Sequence, residues 1–399
     1  MSGHLECFET VWGTVNEEYY DSTFGGLDWQ EVHDRYQPQI AAAEDDGTFY
    51  DLLNQMLHEL GVSHIGALPF ELVLERWLSP HDFGQGSIGV DVRWLEDEVV
   101  VTSVAPGSPA GHAGLRPGFV IRSIDGVPVD RIAEDTRLVP PYNERNRRGL
   151  IATEILRHIY GQPGTEVSIA YADGEAANHV QRIRRVEREG GCPLYDGAPP
   201  AYFDVEPKRL EGGIGYIRLS AFQWPVADRV RLAIDAMGSA PGLILDLRGN
   251  SGGDFDLFID KFFRAPVQCL SVVTRDGTAD YTIEPAPDPY LGLVVLVLDV
   301  MSVSAAELFA AALQATARGI VVGERSPGQA LGTKSVLLPI GSLLIYPNRQ
   351  YRMPDGAVLE GRGVIPDIEA PLDRASLLQG RDAQLETAIR AVQEVALER

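Results

Sequence analysis

The sequence predicts a multidomain α/β protein, and three patterns along the chain carry that prediction. Apolar residues follow helical spacing over residues 1–80, which indicates a helical N-terminal region. Short β-branched runs separated by turn residues fill residues 84–187. Strands alternate with helices over residues 208–399, which is typical of a largely parallel sheet, and the Gly- and Pro-rich stretch 188–207 is predicted to be a linker.

The composition excludes several classes of protein. The 399 residues carry a formal net charge of −23, which argues against nucleic acid or an anionic membrane surface as a partner. The three cysteines are scattered and the histidines show no ligand spacing, so neither a disulfide framework nor a metal or other cofactor is expected. No apolar run has the length of a membrane span, and no signal peptide is visible. We therefore expect a cytoplasmic protein, or a periplasmic or extracellular one if a leader has been removed.

The N-terminal region is predicted to hold three helices that end in a loop with two polar side chains. Their approximate ranges are Cys7–Tyr20, Trp29–Tyr36 and Thr48–Leu60. Gly61 suits the position just past a helix end. Ser63 and His64 follow it in a glycine-flanked loop, where a histidine is a candidate general base or simply a surface or core residue.

The middle region resembles a PDZ domain. Gly86-Ser87-Ile88-Gly89 stands where a PDZ domain has its carboxylate-binding loop, and Ser108–Gly118 matches a second stretch of the pattern, followed by Phe119 in place of the usual aspartate. The resemblance implies that an extended peptide adds as a strand, with its C-terminus held by the N–H groups of Gly86, Ser87, Ile88 and Gly89. The alternative is a PDZ-shaped spacer without a ligand.

The C-terminal region predicts strands and helices in alternation. The strands are Ile214–Leu219, Gly242–Leu247, Leu293–Leu298 and Gly319–Val322; the helices are Ala227–Met237, Phe255–Phe263, Ala305–Ala317 and Ala383–Leu397. In such a sheet, sites form at the carboxyl ends of the strands. The Gly252-Gly253 loop and Ser304 both follow strands there. Ser302 or Ser304 could also simply cap the helix that follows.

Four short blocks follow one another along the C-terminal region: Leu247–Gly253, Ser302–Leu308, Val322–Arg325 and Glu360–Asp367. In this order they resemble the S41 peptidases, the family of C-terminal processing (tail-specific) and tricorn-type proteases. The resemblance implies a ClpP/crotonase-like catalytic core with an inserted PDZ domain. It also implies that Ser304 is the nucleophile and that the N–H groups of Gly252 or Gly253 and of Ala305 form the oxyanion hole.

The general base is where the sequence departs from the processing proteases. Their catalytic lysine corresponds to Gln329, 25 residues after Ser304, and glutamine cannot take a proton near neutral pH. The tricorn-type branch instead implies His64 as the base, oriented by Ser63 and Glu360. Glu360 could alternatively pair with Arg362.

Two alternatives remain open at this stage. Lys334 could serve as the base of a Ser–Lys dyad if it were buried enough to lose its proton. The Gln329 replacement could also mark an inactive peptide-binding protein that keeps the fold. The predicted function is that of a serine endopeptidase acting on extended or unfolded polypeptides, compatible with an oligomer.

Overall fold

The computed structural model describes residues 2–69, 84–136, 142, 144–189, 191–193 and 200–397. The predicted boundary at residue 80 and part of the predicted linker lie outside these residues. The helices are α1 (Ser2–Glu18), α2 (Trp29–Ala41), α3 (Asp46–His58), α4 (Pro109–His112), α5 (Val129–Asp135), α6 (Glu144–Ile159), α7 (Trp224–Ala236), α8 (Ala305–Ala315), α9 (Arg374–Leu378) and α10 (Ala383–Leu397).

Within the residues that the structure describes, the strands fall into five sheets. They are β1 (Gly66–Pro69), β2 (Gly86–Ser87), β3 (Val90–Leu95), β4 (Glu98–Val104), β5 (Val120–Ile124), β6 (Val127–Pro128), β7 (Glu166–Ala172), β8 (Asn178–Arg184), β9 (Val186–Glu187), β10 (Cys192–Pro193), β11 (Pro200–Ala201), β12 (Val205–Arg209), β13 (Gly215–Leu219), β14 (Gly242–Asp246), β15 (Val267–Thr274), β16 (Gly277–Ile283), β17 (Leu293–Leu298), β18 (Gly319–Gly323), β19 (Leu331–Leu337), β20 (Ser342–Arg352) and β21 (Ile368–Glu369).

The N-terminal helices pack on the C-terminal region. Asp28 and Asp45 accept backbone N–H bonds at the starts of α2 and α3, as side-chain caps do. The helices share one apolar core with Leu344 and Tyr346 of β20. The chain then leaves α3 and enters β1, which pairs antiparallel with β20. The loop that carries Ser63 and His64 is therefore held between a packed helix and a strand of the C-terminal half.

The PDZ-like unit is a five-stranded antiparallel path, β3-β4-β5-β7-β8, with β6 beside β5 and with α6 packed against β3. Its core contains Ile88, Val92 and Leu156 together with Val300 and Met301. The last two residues belong to the turn that follows β17. The unit thus shares buried side chains with the segment that leads to Ser304.

The C-terminal region is built on a six-stranded sheet of order β12-β13-β14-β17-β18-β21, parallel except for β12. Helices α7 and α8 bury one face and α10 buries the other, so the central strands are buried on both faces, as their continuous apolar runs predict. The predicted parallel α/β core is confirmed. The sheet begins at Val205, inside the stretch predicted as a linker.

Two features were not predicted correctly. A second, antiparallel sheet joins β1, β20, β15 and β16, with β19 paired to β20. The helix predicted over Phe255–Phe263 is wrong, since only Ile259–Phe262 forms a short 3-10 turn. Nearly every apolar side chain of this stretch is buried, which a helix with a single inward face could not achieve.

Within the described residues, the helices are all too short or too polar to cross a bilayer.

Candidate active site

Ser304 occupies a strained backbone position between β17 and α8. Its φ of 57° and ψ of −116° lie outside the regions that a non-glycine residue normally adopts, at a cost of about 1–3 kcal/mol. Ser304 is also the N-cap residue of α8 and forms a capping box with Glu307, whose carboxylate accepts the Ser304 N–H, so the predicted capping role is present at this residue. Its side chain stands at a helix N-terminus, where free N–H groups and the helix dipole favour negative charge.

Ser302 has a different task. It is fully buried, its hydroxyl donates to the Leu247 carbonyl at 2.8 Å, and it accepts the Asp299 N–H at 3.0 Å. These bonds fix the turn between β17 and α8. Of the two serines in the motif, Ser302 is therefore structural and Ser304 remains available for chemistry.

Glu307, one turn into α8, is the carboxylate that ties the nucleophile to the next loop. It is fully buried and accepts the Ser304 N–H at 3.2 Å, the Gln329 N–H at 2.8 Å, the Gly328 N–H at 2.7 Å and the Ser326 hydroxyl at 2.6 Å. Burial raises the pKa of Glu307 to about 7, although these donors favour the ionised form. The 326–329 loop is thereby fastened to the backbone of Ser304.

The glycine loop after β14 packs directly on Ser304. A Cβ on Gly252 would lie 2.6 Å from the Cβ of Ser304, and Gly252 has a φ of 90°, so a side chain there is excluded. The Gly252 N–H donates to Asn250 Oδ1 at 2.9 Å. Among the described residues, neither Gly253 nor Ala305 has its N–H bonded to another group. In this part of the chain, both N–H groups therefore remain free to donate, as the predicted oxyanion hole requires.

Ser63, His64 and Glu360 form one hydrogen-bonded chain. The Ser63 hydroxyl lies 2.7 Å from His64 Nδ1 and donates to Glu360 Oε2 at 3.0 Å, and the Ser63 N–H donates to Glu360 Oε1 at 2.7 Å. Because the hydroxyl proton points to the carboxylate, its lone pair faces Nδ1, which must then carry the imidazole proton. This arrangement leaves His64 Nε2 unprotonated and able to accept a proton.

Electrostatics keep that imidazole neutral. Burial lowers the pKa of His64 to about 4, whereas burial raises the pKa of Glu360. His64 also has a positive φ of 60°, a second strained position in the same site. At neutral pH the histidine is thus in its basic form.

A single peptide group joins the two halves of the site. The Gln329 carbonyl accepts the Ser304 N–H at 2.9 Å, and the next N–H, of Ala330, donates to Glu360 Oε2 at 2.9 Å. The structure therefore links Ser63, His64 and Glu360 to the backbone of Ser304, although some 240 residues separate His64 from Ser304. Among the hydrogen bonds of the described residues, none joins the Ser304 hydroxyl directly to His64. The backbone of Gln329 serves this connection.

The two alternatives raised by the sequence, Lys334 as the base and Arg362 as the partner of Glu360, do not match the observed contacts. Lys334 is on β19, where its ammonium pairs with Glu18 at 2.8 Å and its side chain is 54% exposed. This exposed ion pair lacks the burial that a dyad lysine requires. Glu360 is bonded to Ser63 and Ala330, and among the described ion pairs it has none with Arg362.

The predicted PDZ loop is partly occupied by the chain itself. The Gly86 N–H donates to the Gly161 carbonyl at 2.8 Å, and the Gly89 N–H donates to the Ser87 hydroxyl at 2.9 Å. Ile88 is fully buried, and its carbonyl accepts the Ala110 N–H. Two of the four N–H groups predicted to hold a C-terminus are therefore already bonded.

Sequence reasoning missed Glu307 and Asp299 as parts of the site. The Ser304…Glu307 spacing of a capping box is the signal that could have identified Glu307. Asp299 has no such signal, because its partners come from the PDZ-like unit and from the glycine loop. In the part of the chain that the structure describes, no cluster of three or more His, Cys, Asp or Glu side chains could hold a metal ion.

Residues 213–370, which contain Ser304, Glu307, Glu360 and the glycine loop, match the family model described as peptidase family S41. The region that holds the site is thus an S41-type peptidase domain. Residues 4–58 match the tricorn protease C1 domain and residues 100–142 match the PDZ domain. The tricorn-type match ends just before Ser63 and His64.

Two curated relatives of the chain are named after the two kinds of protease that the sequence resembles. A putative tricorn protease homolog 2 of Streptomyces coelicolor is 28% identical over 417 residues, which cover 98% of this chain and 32% of that protein. A carboxyl-terminal-processing protease of Synechocystis is 27% identical over 397 residues, covering 95% of this chain and 84% of that one. The chain thus spans about a third of the tricorn homolog and most of the processing protease.

Solved structures share the fold. The photosystem II D1 C-terminal processing protease superposes with a TM-score of 0.59 at 22% identity, over 98% of each chain. The tricorn protease superposes with a TM-score of 0.57 at 18% identity, over 99% of this chain and 37% of that one.

Proposed function

We propose that this S41 peptidase is a serine endopeptidase that hydrolyses extended or unfolded polypeptides, with Ser304 as nucleophile and His64 as general base. The observation that supports it most is the hydrogen-bonded chain from Glu360 through Ser63 to His64, joined to Ser304 by the Gln329–Ala330 peptide group. Ser63 and Glu360 orient the imidazole and stabilise its charged form. The cytoplasmic location and an oligomer stay predictions.

In the first step, His64 Nε2 takes the proton of the Ser304 hydroxyl as the oxygen attacks the carbonyl carbon of the scissile peptide bond. The positive charge that forms stays on the imidazole, where the Glu360 carboxylate stabilises it through the hydrogen bonds of the Ser63 hydroxyl. A neutral base with Nε2 unprotonated is needed for this step, and burial provides it. The hydrogen-bonded chain of Glu360, Ser63 and His64, called the relay below, contains no lysine.

The tetrahedral intermediate carries a negative oxygen beside the start of α8. The N–H groups of Gly253 and Ala305 are the donors for it, and each such donor contributes about 3–4 kcal/mol of barrier lowering in related chemistry. His64 then protonates the leaving amine, which leaves an acyl ester on Ser304. Water attacks the ester with His64 again as base, and the second product departs with a free carboxylate.

The substrate class follows from the family and the relatives. Both curated relatives are named as proteases, and the family model is that of a peptidase. Ser304 and the glycine loop lie at the carboxyl ends of neighbouring parallel strands, where a ligand approaches the sheet edge. An extended polypeptide is the form that can place one peptide bond there.

The test is cleavage of an unstructured protein by wild type and by Ser304→Ala, His64→Ala and His58→Ala. We expect the first two substitutions to reduce kcat/KM at least about 10³-fold, since they remove the nucleophile or its base. His58→Ala is the matched control, because His58 ends α3 outside the relay. Full activity of Ser304→Ala, or a Ser304 that does not react with a fluorophosphonate, would overturn the proposal.

A further inference from the structure

The strand of the PDZ-like unit that should accept a peptide already has partners. β3 ends its sheet among the described strands. The Val92 N–H donates to Asp91 Oδ1 at 2.9 Å, the Val92 carbonyl accepts Arg93 Nη1 at 2.8 Å, and the Trp94 carbonyl accepts Arg148 Nε at 3.3 Å. Residues two apart in a strand present their backbone groups to the same edge. Strand addition uses such an edge, and here three of its groups are bonded to side chains.

One of these side chains, Arg93, extends into the catalytic core. Its Nε donates to Asp299 Oδ2 at 2.7 Å, and its side chain is only 5% exposed. The other oxygen of Asp299 accepts the N–H groups of Gly249 and Met301, each at 3.0 Å. Gly249 begins the glycine loop and Met301 lies in the turn before Ser304. Arg93 thus fixes the carboxylate that fixes both loops of the site.

A second side chain, Arg148 of α6, also connects the PDZ-like unit to the catalytic core. Its guanidinium pairs with Glu324 at 2.8 Å, two residues before the loop that Glu307 holds. Gly149, the next residue of α6, packs so closely on the Val300 carbonyl that a Cβ would lie 2.7 Å from it. Asn146 donates to the Pro327 carbonyl at 2.9 Å. One helix of the PDZ-like unit therefore contacts two catalytic loops.

We infer that the PDZ-like unit of this chain is a fixed brace of the active site, and that it does not capture peptide C-termini. Arg93 and Arg148 are positioning residues that act through Asp299 and Glu324. A peptide that added to β3 would have to displace the same two arginines that hold the catalytic loops. The inference rests on the proposed function for the meaning of those loops, but its binding test does not depend on turnover.

The binding test uses the full chain with Ser304→Ala and a fluorescently labelled unstructured peptide, made with a free and with an amidated C-terminus. Capture of C-termini requires the carboxylate, whereas binding in the catalytic cleft alone does not. We expect the two Kd values, measured by anisotropy, to agree within about threefold, or neither peptide to bind. A preference larger than that for the free carboxylate would overturn the inference.

The kinetic test compares Arg148→Ala with Arg147→Ala. Arg147 is the matched control, because it lies on the same helix and donates to Ala133 within the PDZ-like unit. The readout is the rate at which a fluorophosphonate labels Ser304 without any peptide present, which reports the arrangement of the nucleophile directly. We expect about a tenfold slower reaction for Arg148→Ala, a rate within twofold of wild type for Arg147→Ala, and partial recovery for Arg148→Lys, since small misplacements of reacting groups cost this much.

Steady-state kinetics and unfolding complete the test. For Arg148→Ala we expect a lower kcat with KM changed less than about twofold, and a thermal transition that shows a folded protein. An unchanged labelling rate in Arg148→Ala would show that the PDZ-like unit does not position the catalytic loops. If Ser304→Ala still cleaved polypeptides, the proposed function would fail, while the comparison of free and amidated peptides would stand by itself.

Discussion

The acid limb of the pH profile tests the identity of the base most directly. The proposed proton acceptor is His64, whose pKa burial lowers to about 4. Because the neutral imidazole is the active form, activity should be full above that value and should fall as the pH drops through it. An ordinary histidine would lose its basic form near pH 6.5 instead.

The size of the difference follows from these two values. At pH 5 roughly nine-tenths of an imidazole with a pKa of about 4 is neutral, against only ~3% for an ordinary histidine. Between pH 8 and pH 5 we therefore expect a loss of less than about twofold from His64, where an unperturbed base would give about thirtyfold. Protonation of Glu360 removes the acceptor for the Ser63 hydroxyl and therefore causes a second loss of activity. Because burial raises the pKa of this carboxyl, that loss occurs at a higher pH than for an ordinary glutamate.

The assay is the second-order rate constant for fluorophosphonate labelling of Ser304 from pH 3.5 to 9, in wild type and in Glu360→Gln. The glutamine does not titrate, so the variant should react more slowly at all pH values but retain only the acid limb of His64. A midpoint near pH 6.5 in both proteins would refute the low pKa of the base. A midpoint above pH 8 would refute histidine altogether and indicate a lysine.

Three further substitutions probe the surroundings of Ser304. In the wild type the N–H groups of Gly328 and Gln329 donate to the Glu307 carboxylate, and Glu307→Gln would place an amide NH₂ against these donors. We expect this substitution to lower the free energy of unfolding by roughly 3 kcal/mol and to lower kcat. Wild-type values in denaturant unfolding and in kinetics would show that Glu307 does not hold the 326–329 loop. Gly252→Ala places a Cβ 2.6 Å from that of Ser304, and we expect labelling to slow at least about 100-fold; a normal rate would mean that the loop can move aside. Lys334→Ala should leave kcat/KM within about twofold, because this side chain pairs with Glu18 on the surface; a large loss would return lysine to the mechanism.

The parallel core could be predicted because its physical cause is local. Strands such as Leu293–Leu298 are continuous apolar runs, since both faces are covered by helices, and the turns after them carry glycine and serine. The position of Ser304 at a strand end follows from that pattern alone. The Phe255–Phe263 prediction failed because tertiary packing, which buries side chains all round this segment, decided its conformation.

The base was harder to predict than the nucleophile, because its position depends on contacts between distant segments. The Ser63–His64 pair is placed by β1 pairing with β20, and strand pairing at that separation leaves no periodic mark in the sequence. The family resemblance supplied His64, and the structure supplied the connection through the Gln329–Ala330 peptide group. The Arg93–Asp299 ion pair of the brace leaves no sequence signal, because it depends on how the PDZ-like unit packs against the catalytic core.

The relay is distributed along the chain in a way that governs when the protein can first act. During synthesis the imidazole emerges early, the nucleophilic hydroxyl some 240 residues later, and the orienting carboxylate of Glu360 after another 56. β20, which anchors the early segment, also emerges late. If the proposed mechanism holds, a ribosome-bound chain therefore cannot assemble its catalytic centre before Glu360 has been made.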